Sequence, residues 1–381
     1  MSTDRRPAIG LVLACSAWFA AATVPSEVAA PSLVAAAVPL GFAGGGFVSA
    51  LRGWPERIPP RRLAWIGARA AALANVVPAV VPGIGALLVG RVGVGAALAL
   101  LYPSVLHLTA SSAGRRPGAA LGSVIAALTV GSASPHLVRA LGVSSWRFAL
   151  VVTSAAVLLG GLVIRTGGPE RAPRATGFHA GHVGAVLACR RVRRAMAGYL
   201  GHMWELYAGW ALAASHLREV WSSPRIGAGA GALVVAVGAI GAWAMGRVGD
   251  RIGLVRAARL AMAASGGLAL AMPAVPTTPW AVTLALTAWG LFVIADGGLF
   301  PALTAGGAGP DLAATALTLQ LAAGFALAAL TSALAPLAVE HLGWSTAFAL
   351  LSAGPLIGNL ALRGAAPAVP RPAGLLAPAV S

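Results

Sequence analysis

The sequence predicts an all-α membrane protein: twelve transmembrane helices in two parallel repeats of six, with both termini in the cytoplasm. Three observations carry that expectation. Of the 381 residues, 58% are hydrophobic and 10% charged, and the mean hydropathy is +0.83, against about 25% charged residues in a soluble domain. The apolar residues gather in segments of roughly 20, the length that crosses a bilayer core. Features of the first half also recur in the second at a nearly constant offset.

Polar or Pro/Gly-rich breaks set the elements in order. Span 1 covers 8–28. Its apolar run continues past Cys15, so it reads as a helix that stays in the membrane rather than a cleaved leader. Spans 2 to 6 cover 32–51, 63–82, 84–108, 118–140 and 147–165. Spans 7 to 12 cover 196–216, 226–246, 257–274, 279–304, 312–336 and 344–363. Helices are expected because lipid cannot satisfy open backbone groups, and the short alternating segments of a β-barrel are missing. Many spans are rich in Ala and Gly, which lets helices approach closely in lipid. The domain expectation is an N-terminal bundle over 1–165, a cytoplasmic linker loop over 166–195, a C-terminal bundle over 196–363 and a disordered cytoplasmic tail over 364–381.

Charge sets the orientation. All 27 basic residues are arginines. Twenty-one lie on one side of the predicted spans, four on the other and two, Arg69 and Arg91, inside spans. Positive residues stay on the cytoplasmic side, so that side holds both termini and the 166–195 loop. The formal charge of +17 is then a set of loops facing anionic lipid, not a nucleic-acid surface. Cys15 and Cys189 are too few and too far apart for a disulfide framework or metal site. No HExxH, P-loop, Ser/His/Asp pattern or cysteine cluster points to an enzyme or a cofactor.

The two halves share matched features. Arg57 after span 2 and Arg251 after span 8 are 194 residues apart, Pro103 and Pro301 are 198 apart, and Trp146 and Trp344 are 198 apart. Six spans per repeat leave both halves in the same orientation, as in parallel-repeat transporters.

The stretch "GRVGDRIGLVRAAR" (246–259) resembles the cytoplasmic loop signature of the major facilitator superfamily. Gly246, Asp250, Arg251 and Gly253 match it, and Glu56 and Arg57 hold the same places in the first half, where Pro59 replaces the second glycine. "GRVGVGAA" in span 4 is similar to the family's arginine-containing fourth helix through Arg91 and Gly95. In span 5, Gly122 and Gly131 have the antiporter spacing, with Ser134–Pro135 in place of Gly-Pro. The likeness covers nearly the whole chain. It implies a secondary transporter of the bacterial inner membrane, monomeric and without cofactor. Two bundles would rock about a central site that takes a small-molecule substrate and a proton or other coupling ion. It also implies that Asp250 approaches the N-terminus of span 5, whose partial positive charge favours a carboxylate, that Arg251 bridges to a nearby acid, and that the pair latches the halves. An interfacial charge run without a switching role is the alternative.

Charges inside spans are costly and face a partner or cavity. Glu205 and His202 lie in span 7, Asp296 in span 10, and Arg91, Tyr102 and His107 in span 4. The family fold lines its cavity with spans 1, 4, 7 and 10. Glu205 lies near mid-span, and helical spacing puts Gly201, Ala208 and Gly209 on its face, which leaves room for water or a ligand. The functional reading makes Glu205 a proton carrier or substrate contact; the plain reading makes it an anchor between helices. Asp296 is a second carrier or the support of a kink at Gly297–Gly298. Arg91 binds an anion or pairs with a carboxylate. The alternative function within transport is drug or metabolite efflux by antiport; outside it, a sensor or scaffold that moves nothing.

Overall fold

The computed structural model describes residues 6–18, 20, 31–141, 145–168 and 181–364. Among them every regular element is helical. The first half comprises α1 (Arg6–Cys15), α2 (Pro31–Arg52), the short α3 (Trp54–Arg57), α4 (Pro60–Val80), α5 (Ile84–Ser112), α6 (Pro117–Ala140) and α7 (Trp146–Arg165). The second comprises α8 (Gly181–Ala188), α9 (Arg190–Val220), α10 (Pro224–Ile252), α11 (Leu254–Ala271), α12 (Pro279–Val293), α13 (Leu299–Ala308), α14 (Ala313–Leu342), α15 (Trp344–Leu351) and α16 (Ala353–Ala361).

Seven of the described helices are long and apolar enough to cross a membrane. Large side chains such as Leu73, at 72% exposed, and Leu284, at 68%, point outward, as a lipid-facing surface requires. The chain is a multi-pass helical membrane protein.

Three sequence expectations are corrected. The 166–195 linker is not all loop: α8 forms within it and α9 begins at Arg190. Span 10 is two helices, because the chain turns over 294–298, where Asp296 accepts the backbone N–H of Leu299 at 2.8 Å through its carbonyl. The turn presses against α6: a Cβ on Gly298 would lie 2.6 Å from Gly122 N. Span 12 breaks at Ser352, whose hydroxyl bonds Ala349 O at 2.6 Å, just before Pro355 removes a backbone donor. The outer part of span 1 beyond residue 20 and the 365–381 tail lie outside the described residues.

Two long seams join the halves: α6 lies along α10, and α2 along α14. Small residues make them, since in lipid close packing rather than the hydrophobic effect holds helices together. A Cβ on Gly118 would sit 2.4 Å from Gly246 O, so only glycine permits that approach.

Candidate functional site

Glu205 is 1% exposed. Trp289 of α12 donates its Nε1–H to Oε1 at 2.9 Å, and Ser265 of α11 donates its hydroxyl to Oε2 at 2.8 Å. Both carboxyl oxygens are therefore satisfied inside the C-terminal bundle. The space expected beside it is filled. A Cβ on Gly201 would lie 2.4 Å from Gly354 O, and one on Gly209 would lie 2.5 Å from the Trp289 ring. The small residues on this face admit α16 and an indole, not a ligand.

One turn earlier, His202 turns the other way. Its Nδ1 lies 2.7 Å from Asp296 Oδ1, at ion-pair distance but off the angle of a hydrogen bond. The 294–298 turn is what brings Asp296 there; a continuous helix would carry it past α9. Tyr199 stacks on the imidazole with ring centres 5.8 Å apart, and Phe300 lies 5.9 Å away.

His202 lines a narrow cavity between the halves, together with Tyr102 of α5, Tyr199 and Tyr207 of α9, and Phe325 of α14. No arginine and no carboxylate lines it. In this conformation it has room for water and nothing larger. Aromatic rings close it: Trp18 lies 4.8 Å from Phe325 and 5.5 Å from Tyr207.

Arg91 stands apart. It is fully buried in the N-terminal bundle and bonds Ala17 O at 3.1 Å and the Asn75 side-chain oxygen. Its partner is a neutral amide, neither an anion nor a carboxylate. Asn75 in turn donates to Leu150 O, Thr153 Oγ1 and Ser154 Oγ at 2.9, 2.9 and 3.0 Å. This cluster ties α4, α5 and α7 to the end of α1. His107 lines a second cavity with Ser49 and Thr318.

Near the end of α10, Asp250 accepts the backbone N–H groups of Gly118 and Ala119, both at 2.8 Å. These are the free donors of the first turn of α6. Gly246 provides the close approach, and Gly253 ends α10 at φ 97°. Arg251 is exposed and makes no ion pair among the described residues, unlike the expected bridge. In the other half, the Thr315 hydroxyl in the first turn of α14 donates to Glu56 Oε1. Arg57 beside it is exposed.

The structure thus brings His202 and Tyr102 to one cavity, sets Asp296 against His202 and Glu205 one turn further along α9, and leaves Arg91 and His107 elsewhere. Sequence reasoning missed Asn75, Ser265, Trp289 and Tyr199. An amide inside the apolar run "ALANVVP" was a usable signal for Asn75. The others carry none, because a serine or an aromatic in an apolar helix is ordinary.

Solved structures share this fold. The human organic anion transporter MFSD10 superposes with a TM-score of 0.74 at 16% identity, over 95% of this chain and all 100% of that one. A variant of the E. coli fucose:proton symporter FucP gives 0.66 at 13% identity over 94% and 98%. FucP in the outward conformation gives 0.65 at 14% identity over the same shares, 94% and 98%. The chain has the major facilitator fold. No family model matches the sequence, and no curated protein matches it.

Proposed function

We propose that the protein is a secondary active transporter that moves a small solute by alternating access, coupled to protons through His202 and Asp296. The observation that carries this reading is the buried His202–Asp296 pair beside the cavity between the halves. A titratable pair at that place can exchange its proton with whichever side the cavity opens to. The seams α6–α10 and α2–α14 are the surfaces about which two bundles, 1–165 and 196–363, rock. Asp250 on the α6 N-terminus and Glu56 on the α14 N-terminus hold the cytoplasmic ends together in this state and let go in the other. The arginine bias supports twelve crossings with both termini cytoplasmic, in a bacterial inner membrane. The protein works as a monomer with no cofactor.

Reconstituted vesicles with an imposed pH gradient test this. Wild-type protein drives proton-linked flux of its solute, and Asp296→Asn loses gradient-driven accumulation while counterflow persists. Coupled accumulation unchanged in Asp296→Asn sinks the coupling role. A protein that moves nothing under any gradient is a sensor or scaffold instead.

A further inference from the structure

The chain has three tyrosines, and all three line the cavity beside His202. Tyr102 comes from the first half, Tyr199 and Tyr207 from the second. Phe325 lies 5.1 Å from Tyr207, and Trp18 closes the same cluster. The α5, α9 and α14 walls therefore offer aromatic rings, while α6 and the 294–298 turn add Ile125, Leu128 and Ile294. A ring face is negative and attracts a cation, more strongly when water is excluded. No guanidinium reaches the cavity, since Arg91 is committed to Asn75 and Ala17. The nearest formal charge is the Asp296 carboxylate, one imidazole away. An anion entering here would meet no guanidinium, only the tyrosine hydroxyls and the imidazole, with the Asp296 carboxylate behind it.

We propose that the transported solute is a monovalent organic cation with an aromatic or bulky apolar body, exchanged at this cage for the proton on His202. The inference rests on the transporter reading above. As the cation enters, the imidazolium releases H⁺ to water and becomes neutral imidazole. Two positive charges a few ångströms apart in a low-dielectric site are unfavourable, so occupancy by one expels the other. The Asp296 carboxyl lies against the imidazole and faces whichever cation is present. The other titratable groups around the imidazole are Tyr199 on its own helix, Tyr102 from α5 and Glu205 behind it, and none of them is cationic. Entry requires the Trp18–Phe325 contact to part, which is a movement of one half against the other.

Tetraphenylphosphonium and tetraphenylborate share a shape and differ in the sign of charge. Equilibrium binding of each to the full chain in nanodiscs separates the outcomes. Expected is saturable binding of the phosphonium, weakened about tenfold between pH 8 and pH 5.5, with a similar loss in Asp296→Asn and Tyr207→Leu. Rescue of the Tyr207→Leu loss by Tyr207→Phe shows that the ring face, not general folding, is responsible. Equal or tighter binding of the borate, or an Asp296→Asn variant that binds as wild type, overturns the cation assignment. Vesicle flux keeps the two claims distinct. Proton-linked movement of anions or neutral solutes alone overturns the cage and leaves the transporter. Phosphonium binding with no flux under any gradient overturns the transporter and the exchange together.

Discussion

The two buried acids of the C-terminal half differ in what their oxygens meet. Glu205 has a donor on each oxygen and no open side, whereas Asp296 has an imidazole beside it and the cavity beyond that. Glu205 therefore fits the role of an anchor joining α9, α11 and α12. Glu205→Gln keeps proton-coupled flux, while Glu205→Ala leaves the Trp289 and Ser265 donors unpaired and costs about 1–3 kcal/mol for each, read as a fall in thermal midpoint in detergent. Loss of coupling in the isosteric Gln variant would return Glu205 to the proton path. Glu56 yields a pH prediction. Burial pushes its carboxyl up from the ordinary value, and the Thr315 hydroxyl pulls it partly back. The packed form thus holds the proton more tightly than a solvated carboxyl does. Its stabilising contribution is full below the ordinary carboxylate range and is lost as pH rises through the raised value. Thermal midpoints of Glu56→Gln should show a shallower decline from mildly acidic to neutral pH than wild type; an identical slope refutes the assignment.

At the scale of elements, the contact between α10 and α6 is a carboxylate on a helix N-terminus, made possible by a glycine-on-glycine crossing. Asp250→Ala removes two charge-assisted bonds and an interaction with the α6 dipole, at a cost of about 1–2 kcal/mol. Spin labels on the cytoplasmic ends of α6 and α10 should report a longer distance in that variant. Gly118→Val acts on the same seam by force, since its Cβ would collide with Gly246 O, and should open it further. An unchanged distance in both variants means that this seam is not the gate. The breaks in spans 10 and 12 belong to this scale too. The 294–298 turn creates the functional pair, because it swings one carboxylate onto the face of another helix.

For the whole molecule, the arginine asymmetry predicts which surfaces face the cytoplasm. With Cys15 and Cys189 replaced by serine, a cysteine at 222 should react with an impermeant maleimide in intact cells, and one at 172 only after permeabilisation. The reverse pattern overturns the orientation. The internal repeat has a counterpart in space: Glu56 on α14 and Asp250 on α6 are equivalent contacts made in opposite directions across the two seams. Each acid meets the first turn of a helix in the other half.

Much of this was legible in the chain because a bilayer imposes local rules. Segment length and apolar content depend on each stretch of sequence and its solvent, so the helical membrane class could be read directly, and the loop signature pointed to the contact that Asp250 makes with a helix start. The helical spacing around Glu205 was also right, but the occupant of that face was not. Whether the gap beside Gly201 holds water or the backbone at Gly354 depends on which helix docks there, and that partner lies some 150 residues away. The same holds for Arg91, whose neutral partner Asn75 sits on another helix. Residue type and depth are local properties that the sequence determines by itself. Which buried groups meet is a property of how the helices pack, and the tertiary structure alone decided that His202 and the three tyrosines share one cavity and that Asp296 packs against that histidine.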